Sequence, residues 1–224
     1  MNVYKKYVAE FLGTFILIFV GSGSICANYY LTQAGQPGLG LLGIALSYGF
    51  AVVAIVYALG YVSGAHINPA TTVSLLITKR IDANTAIMYI LVQLAGAAFA
   101  GFVLRGLFPK ALEISLGAFH MAPGVPVVRA ILMEAILSFL LIFTVYSCAI
   151  DKRASGALAG LAIGLVVVFA VIVGATVSGG AVTPTIAFGP AIASGDFGGH
   201  HVYWIGHMIG GVFAGLLYDR VFAD

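Results

Sequence analysis

The sequence predicts an all-α integral membrane protein, with six transmembrane helices and two re-entrant half-helices arranged as an inverted repeat. Three observations carry that expectation. Of 224 residues, 61% are hydrophobic and 8% are charged, with a mean hydropathy of +1.08, whereas a soluble domain carries roughly 25% charged residues. Six apolar runs, at about 7–31, 39–62, 85–108, 127–150, 155–177 and 201–222, reach the length of ~20 residues that a bilayer requires. Two further apolar segments, about 69–78 and 184–194, are too short to span. The runs around them also occur twice.

The first run follows Lys5 and Lys6. It is longer than the apolar core of a signal peptide and reads as an uncleaved span. The connections are brief except 109–126, which holds Pro109, Pro123 and Pro126 and reads as an ordered outer loop. With the N-terminus in the cytoplasm, Lys5, Lys6, Lys79, Arg80, Lys152, Arg153 and Arg220 collect inside, and Arg105, Lys110 and Arg129 outside. That bias follows the positive-inside tendency, with both termini cytoplasmic. Cys26 and Cys148 then lie near opposite faces and read as small packing residues. The net charge of +2 and the lack of a long basic stretch give no reason to expect a nucleic-acid partner. No nucleophile–base pair or metal-spaced His/Cys set is present, so neither an enzyme nor a metal or cofactor site is expected.

Each short segment opens on a helix-start signal. Asn68 precedes Pro69, and Thr183 precedes Pro184; Asn and Thr cap helices, and Pro fits the first helical turn. A helix of about ten residues is ~15 Å long, half of a ~30 Å hydrocarbon core. Non-helical backbone at that depth is tolerated only inside protein or beside a watery cavity. The chain repeats itself in order. Ala9-Glu10-Phe11-Leu12-Gly13-Thr14-Phe15 is echoed by Met133-Glu134-Ala135-Ile136-Leu137-Ser138-Phe139, and Ser63-Gly64 with Pro69 by Ser178-Gly179 with Pro184. Gln93 to Gly101 matches His207 to Gly215. Repeat one covers about 1–108 and repeat two about 127–224, in one channel domain of residues 1–224. Three spans per half force the second half to enter from the other side, which places function at the midplane. Two half-helix N-termini would meet there, each with roughly half a positive charge, and repel cations.

With both copies in view, the chain resembles the aquaporin family over nearly its whole length. The resemblance rests on Ala9 to Thr14, on Ser63-Gly64-Ala65-His66-Ile67-Asn68-Pro69-Ala70, on Ser178-Gly179-Gly180 and on Phe188-Gly189-Pro190-Ala191. It implies a homotetramer whose subunits each conduct water or small neutral solutes, such as glycerol, ammonia or dissolved gases. The short tails suggest a prokaryotic cell membrane. The chain departs from the family at the second box, where Thr183-Pro184-Thr185-Ile186 stands in place of Asn-Pro-Ala-Arg. The midplane is then Asn68, Pro69, Ala70, Thr183, Pro184 and Thr185. The Thr183 hydroxyl is expected to act as a weaker donor that can also accept. The family's outer constriction carries over to Tyr48, Val171, Gly180 and Ile186, with no fixed charge. Arg129 or Lys110 could fold in to replace it. Ala187, Ala191 and Tyr203-Trp204 match the water-conducting branch.

Glu10 and Glu134 are buried acids inside spans. Such residues are functional candidates by default, but their place in the repeat favours accepting hydrogen bonds from the re-entrant loops. His66 is expected to line the cytoplasmic half of the pore. His207 mirrors Gln93 and is expected to bond within the helix packing. Gly156, Gly160 and Gly164, and Gly211 and Gly215, recur at four-residue spacing, which lets helices approach closely in lipid. The alternative to a selective channel is an ion-leaky or non-conducting structural protein of the same fold.

Overall fold

The computed structural model describes residues 3–223, which form helices joined by short turns. The α-helices are α1 (Val3–Gln33), α2 (Gly40–Ser63), α3 (Pro69–Ile77), α4 (Ala83–Leu107), α5 (Val127–Val145), α6 (Ala159–Gly174), α7 (Pro184–Ser194) and α8 (His201–Leu217). One wide helical turn extends α5 through Tyr146–Ile150, and another extends α8 through Tyr218–Phe222. The long loop opens on a tighter 3-10 segment, Pro109–Gly117.

α1, α2, α4 and α5 with its extension are long and apolar enough to cross a membrane. α8 with its extension fills the expected 201–222. The span expected at 155–177 is narrower, because α6 has 16 residues. Gly156 stands in the turn before it with φ +68°, a left-handed conformation that glycine adopts without a Cβ penalty and that ends helical propagation. Gly156 is therefore a turn residue and not part of the close-packing series.

The pseudo-twofold is visible in which helices touch. α1 packs on α4 as α5 packs on α8, α4 holds α7 as α8 holds α3, and α2 meets α6 at the centre. Glycine makes each contact possible. A Cβ on Gly96 would lie 2.3 Å from the Phe11 carbonyl oxygen, and one on Gly210 would lie 2.0 Å from that of Ala135. At the centre, Gly49 and Gly164 each face the other's carbonyl oxygen, 2.6 Å from where a Cβ would stand. In lipid no hydrophobic force drives helices together, so dispersion at such short backbone approach carries the association.

α1 begins on what is termed the N-terminal face. There Arg80 pairs with Asp219 at 2.5 Å and lies over the Tyr146 ring, 5.6 Å from its centroid. Asp151 accepts from the Arg153 guanidinium and, at 2.7 Å, from the Tyr218 hydroxyl. Those bonds hold its carboxyl well below the usual carboxylate range. Together they tie the last turns of α3, α5 and α8.

Gly210→Val is expected to abolish recovery of folded protein on gel filtration. Gly106→Ala, where an added Cβ meets nothing within 4 Å, is expected to leave the elution profile unchanged.

Candidate functional site

Two loops, 64–68 after α2 and 175–183 after α6, lead into α3 and α7, and each is built around one buried glutamate. Glu10 accepts from the Ser63 hydroxyl at 2.6 Å and from the backbone N–H of His66 at 2.9 Å and Ile67 at 2.7 Å. Glu134 accepts from the N–H groups of Gly180 and Ala181, both at 3.1 Å, and of Val182 at 3.0 Å. Each acid has one more partner at the equivalent place on the last helix of its repeat. Gln93 Nε2 donates to Glu10 at 2.7 Å, and His207 Nε2 to Glu134 at 2.6 Å. The His207 bond thus crosses from α8 to α5. The two acids and His207 are fully buried, so these bonds offset a desolvation cost of several kcal/mol per charge.

The carboxylates hold a strained backbone. Ile67 has φ +44° and Val182 has φ +54°, a conformation that costs β-branched residues of order 1–3 kcal/mol each. It turns the chain so that the next residue, in extended conformation, caps a helix pointing back to its own face. Asn68 accepts from the Ala70 N–H at 2.8 Å. Thr183 accepts from the Thr185 N–H at a longer 3.4 Å. Prolines 69 and 184 occupy the first turn, as expected. Tyrosines brace both loops alike, Tyr89 donating to the Ser63 carbonyl and Tyr203 to that of Ser178, each at 2.8 Å.

Both boxes line one cavity of about 360 Å³. It opens on the N-terminal face between Tyr57, Tyr61 and Ile150 and runs inward past His66 to Asn68, Thr183 and Ile186. His66 Nδ1 lies 3.1 Å from the Thr72 hydroxyl, and its ring stands edge-on to Tyr89 at 4.9 Å.

Of the four residues expected at the outer constriction, only Ile186 lines this cavity. Val171 and Gly180 do come together, since a Cβ on Gly180 would lie 3.0 Å from the Val171 Cα. Tyr48 shares an apolar cluster with Val171 and Ile186, and its hydroxyl lies 3.0 Å from Ser22 Oγ on α1. Tyr48, Val171 and Ile186 are 0–2% exposed. Arg129 and Lys110 are exposed, and neither supplies the missing charge here. Phe119 of the long loop lies here instead. Its ring meets Tyr48 at 5.9 Å between centroids, and it fills the space a Cβ on Gly179 would need, at 2.4 Å. Phe119 was not among the residues expected here from the sequence pattern. The available signal was a lone aromatic in a loop whose prolines already implied order.

The long loop is clamped by Asp196, which follows α7. Asp196 accepts from Ser115 Oγ at 2.6 Å and lies 3.0 Å from His120 Nε2. Hydrogen bonds from Ser115, the Gly198 N–H and His120 lower its carboxyl to about 2.

Sequence comparison agrees with this geometry. Residues 1–218 match the family model of the major intrinsic proteins. The chain belongs to that family. Among relatives, aquaporin TIP2-1 of Arabidopsis thaliana is 39% identical over 97% of this chain and 87% of its own length. Aquaporin AqpM of Methanothermobacter marburgensis is 36% identical over the full length of both. Among solved structures, the aquaglyceroporin of Plasmodium falciparum superposes with a TM-score of 0.83 at 25% identity, over 98% of this chain and 97% of that one.

Glu134→Ala leaves three buried N–H groups and His207 without an acceptor. It is expected to destabilise the fold by ~3 kcal/mol or more, read as a lowered melting temperature by circular dichroism. The Asp196 clamp has a lowered carboxyl, so its contribution is complete above ~4, the unfolded value, and is lost as pH falls through about 2. The gap in melting temperature between wild type and Asp196→Asn is expected to close over that window.

Proposed function

We propose that the chain is a passive channel for water and small neutral solutes. The path runs from the cavity, between Asn68 and Thr183, and out past Ile186, Val171, Gly180 and Tyr48. The observation that carries this reading is that the N-termini of α3 and α7 both end on one cavity, lined at its inner end by Asn68 and Thr183. Each end brings roughly half a positive charge, so a cation entering a low-dielectric lumen is opposed while a neutral solute is not. Dispersed carbonyls and hydroxyls then replace part of the solute's hydration. The kinship with proteins named aquaporins and with an aquaglyceroporin supports water and small polyols as the cargo.

The assignment of roles follows the same logic. Glu10 and Glu134 hold the loops and take no part in conduction. His66 contacts solute on the N-terminal side as a hydrogen-bonding ring anchored by Thr72. Val171, Ile186, Tyr48 and Phe119 make a constriction with no fixed charge, so exclusion there depends on width and on the cost of stripping water from an apolar ring. The whole chain is one channel domain in the cell membrane. The N-terminal face lies in the cytoplasm, where its Lys and Arg residues satisfy the positive-inside tendency, and four copies assemble, as the family resemblance implies.

Stopped-flow light scattering on liposomes holding the purified protein tests this reading. Osmotic shrinkage is expected to be faster than in empty liposomes, with glycerol re-swelling also above background. Ile186→Arg puts a charged fork into the lumen and is expected to lower glycerol re-swelling to background while shrinkage persists. Shrinkage no faster than in empty liposomes would end the channel reading.

A further inference from the structure

The two buried glutamates are fixed to the bundle in different ways. Glu10 accepts from Ser63, the last residue of α2, and from Gln93 on α4. Both donors stand on helices, so the carboxylate is placed independently of the loop it holds. Gln93 Nε2 also donates to Thr72 Oγ1 at 3.2 Å, which ties α4 to the half-helix α3. The second repeat lacks these ties. Among the described residues, every donor to Glu134 other than His207 belongs to the loop itself. The place of Thr72, three residues after Pro69, falls to Ala187, three residues after Pro184. Ala187 has no hydroxyl, and His207 Nδ1 is buried without a partner. The bond from His207 Nε2 to Glu134 Oε2, at 2.6 Å, is thus what fixes this carboxylate from outside the loop.

What the carboxylate holds is part of the expected constriction. Glu134 Oε1 takes the N–H of Gly180, and Oε2 takes that of Val182. Gly180 is pressed onto α6. A Cβ there would lie 2.5 Å from the Ala170 carbonyl oxygen and 3.0 Å from the Val171 Cα. The loop therefore sits between α6 on one side and the carboxylate on the other. A glutamate side chain turns about several bonds, each with more than one staggered well, so its head group stays where its partners keep it. We propose that His207 is a positioning residue for the constriction: through Glu134 it keeps Gly180 against Val171, and so sets the width that a neutral solute meets.

His207 does this without meeting the solute, because it is fully buried and does not line the cavity. Its donor matters and its charge does not: the neutral Nε2–H tautomer and the imidazolium both carry the required hydrogen. An amide can supply the same hydrogen, as Gln93 does for Glu10 at 2.7 Å. An apolar side chain of similar size cannot. Without the bond, Glu134 keeps only donors that move with the loop, and nothing then resists a shift of Gly180 away from Val171.

This inference rests on the channel reading, and the same liposomes test both. Osmotic shrinkage and glycerol re-swelling are each read above empty liposomes, and their ratio does not depend on how many pores are inserted. His207→Leu fills the space without a donor. Its glycerol-to-water ratio is expected to rise about fivefold, the worth of one hydrogen bond. His207→Gln restores a donor and is expected to keep the wild-type ratio. His207→Met, a more adaptable filler, repeats the test if His207→Leu does not fold. A side chain that only filled space would change the amount of folded protein and leave the ratio alone. An unchanged ratio in His207→Leu or His207→Met that passes water overturns the inference, as does a ratio in His207→Gln that rises as far. Loss of the folded peak on gel filtration in both apolar variants overturns it too, because the bond would then hold the fold and not the loop. Wild type that passes no water removes the channel reading and the inference with it.

Discussion

Everything at the centre of this protein depends on two glutamates accepting backbone N–H groups where no water is available to do so. A re-entrant loop halfway through a bilayer has several amides that no helix can satisfy, and each would cost free energy if left bare. Glu10 and Glu134 collect them. In return those amides, with Gln93 and His207, make burial of the acids tolerable. Neither side of the exchange is stable alone. The strained Ile67 and Val182 persist because this exchange overdetermines them.

The second constraint is the distance between helix axes. Glycines 96, 210, 49 and 164 let backbones meet where any side chain would collide with a carbonyl. This close approach leaves room for α3 and α7 to sit inside the bundle without filling it. The cavity on the N-terminal face is the space that remains. On the opposite face the room is taken by Phe119, held in place through the Asp196 clamp. The two halves of the molecule, built on one pattern, thereby differ in how open they are.

Chemical asymmetry is laid over the same pattern. Gln93 faces Glu10 where His207 faces Glu134, and one amide in the first box corresponds to two hydroxyls in the second. The fold tolerates such exchanges because the pseudo-twofold specifies a bond direction at each place: a donor to the acid, an acceptor at the cap, a donor to the opposite carbonyl. Which chemical group supplies it is free to vary.

The all-helical fold, the short helices starting at Pro69 and Pro184 and the backbone partners of Glu10 and Glu134 were legible in the residue pattern, because each follows from local rules. Apolar length sets spans, Asn or Thr before Pro sets a helix start, and a charge recurring at the same place in both repeats must be paired. His66 also reached the cavity where its position beside Asn68 put it. The sequence alone could not place Phe119, since loop conformation depends on contacts with Asp196 some eighty positions away and on the empty surface over Gly179. Nor could it show which residue of the second box reaches across to the other half of the chain. It is Thr185, whose hydroxyl the fold brings within 3.3 Å of the Ile67 carbonyl. Local order was written in the sequence; the contact between the two boxes needed both halves assembled.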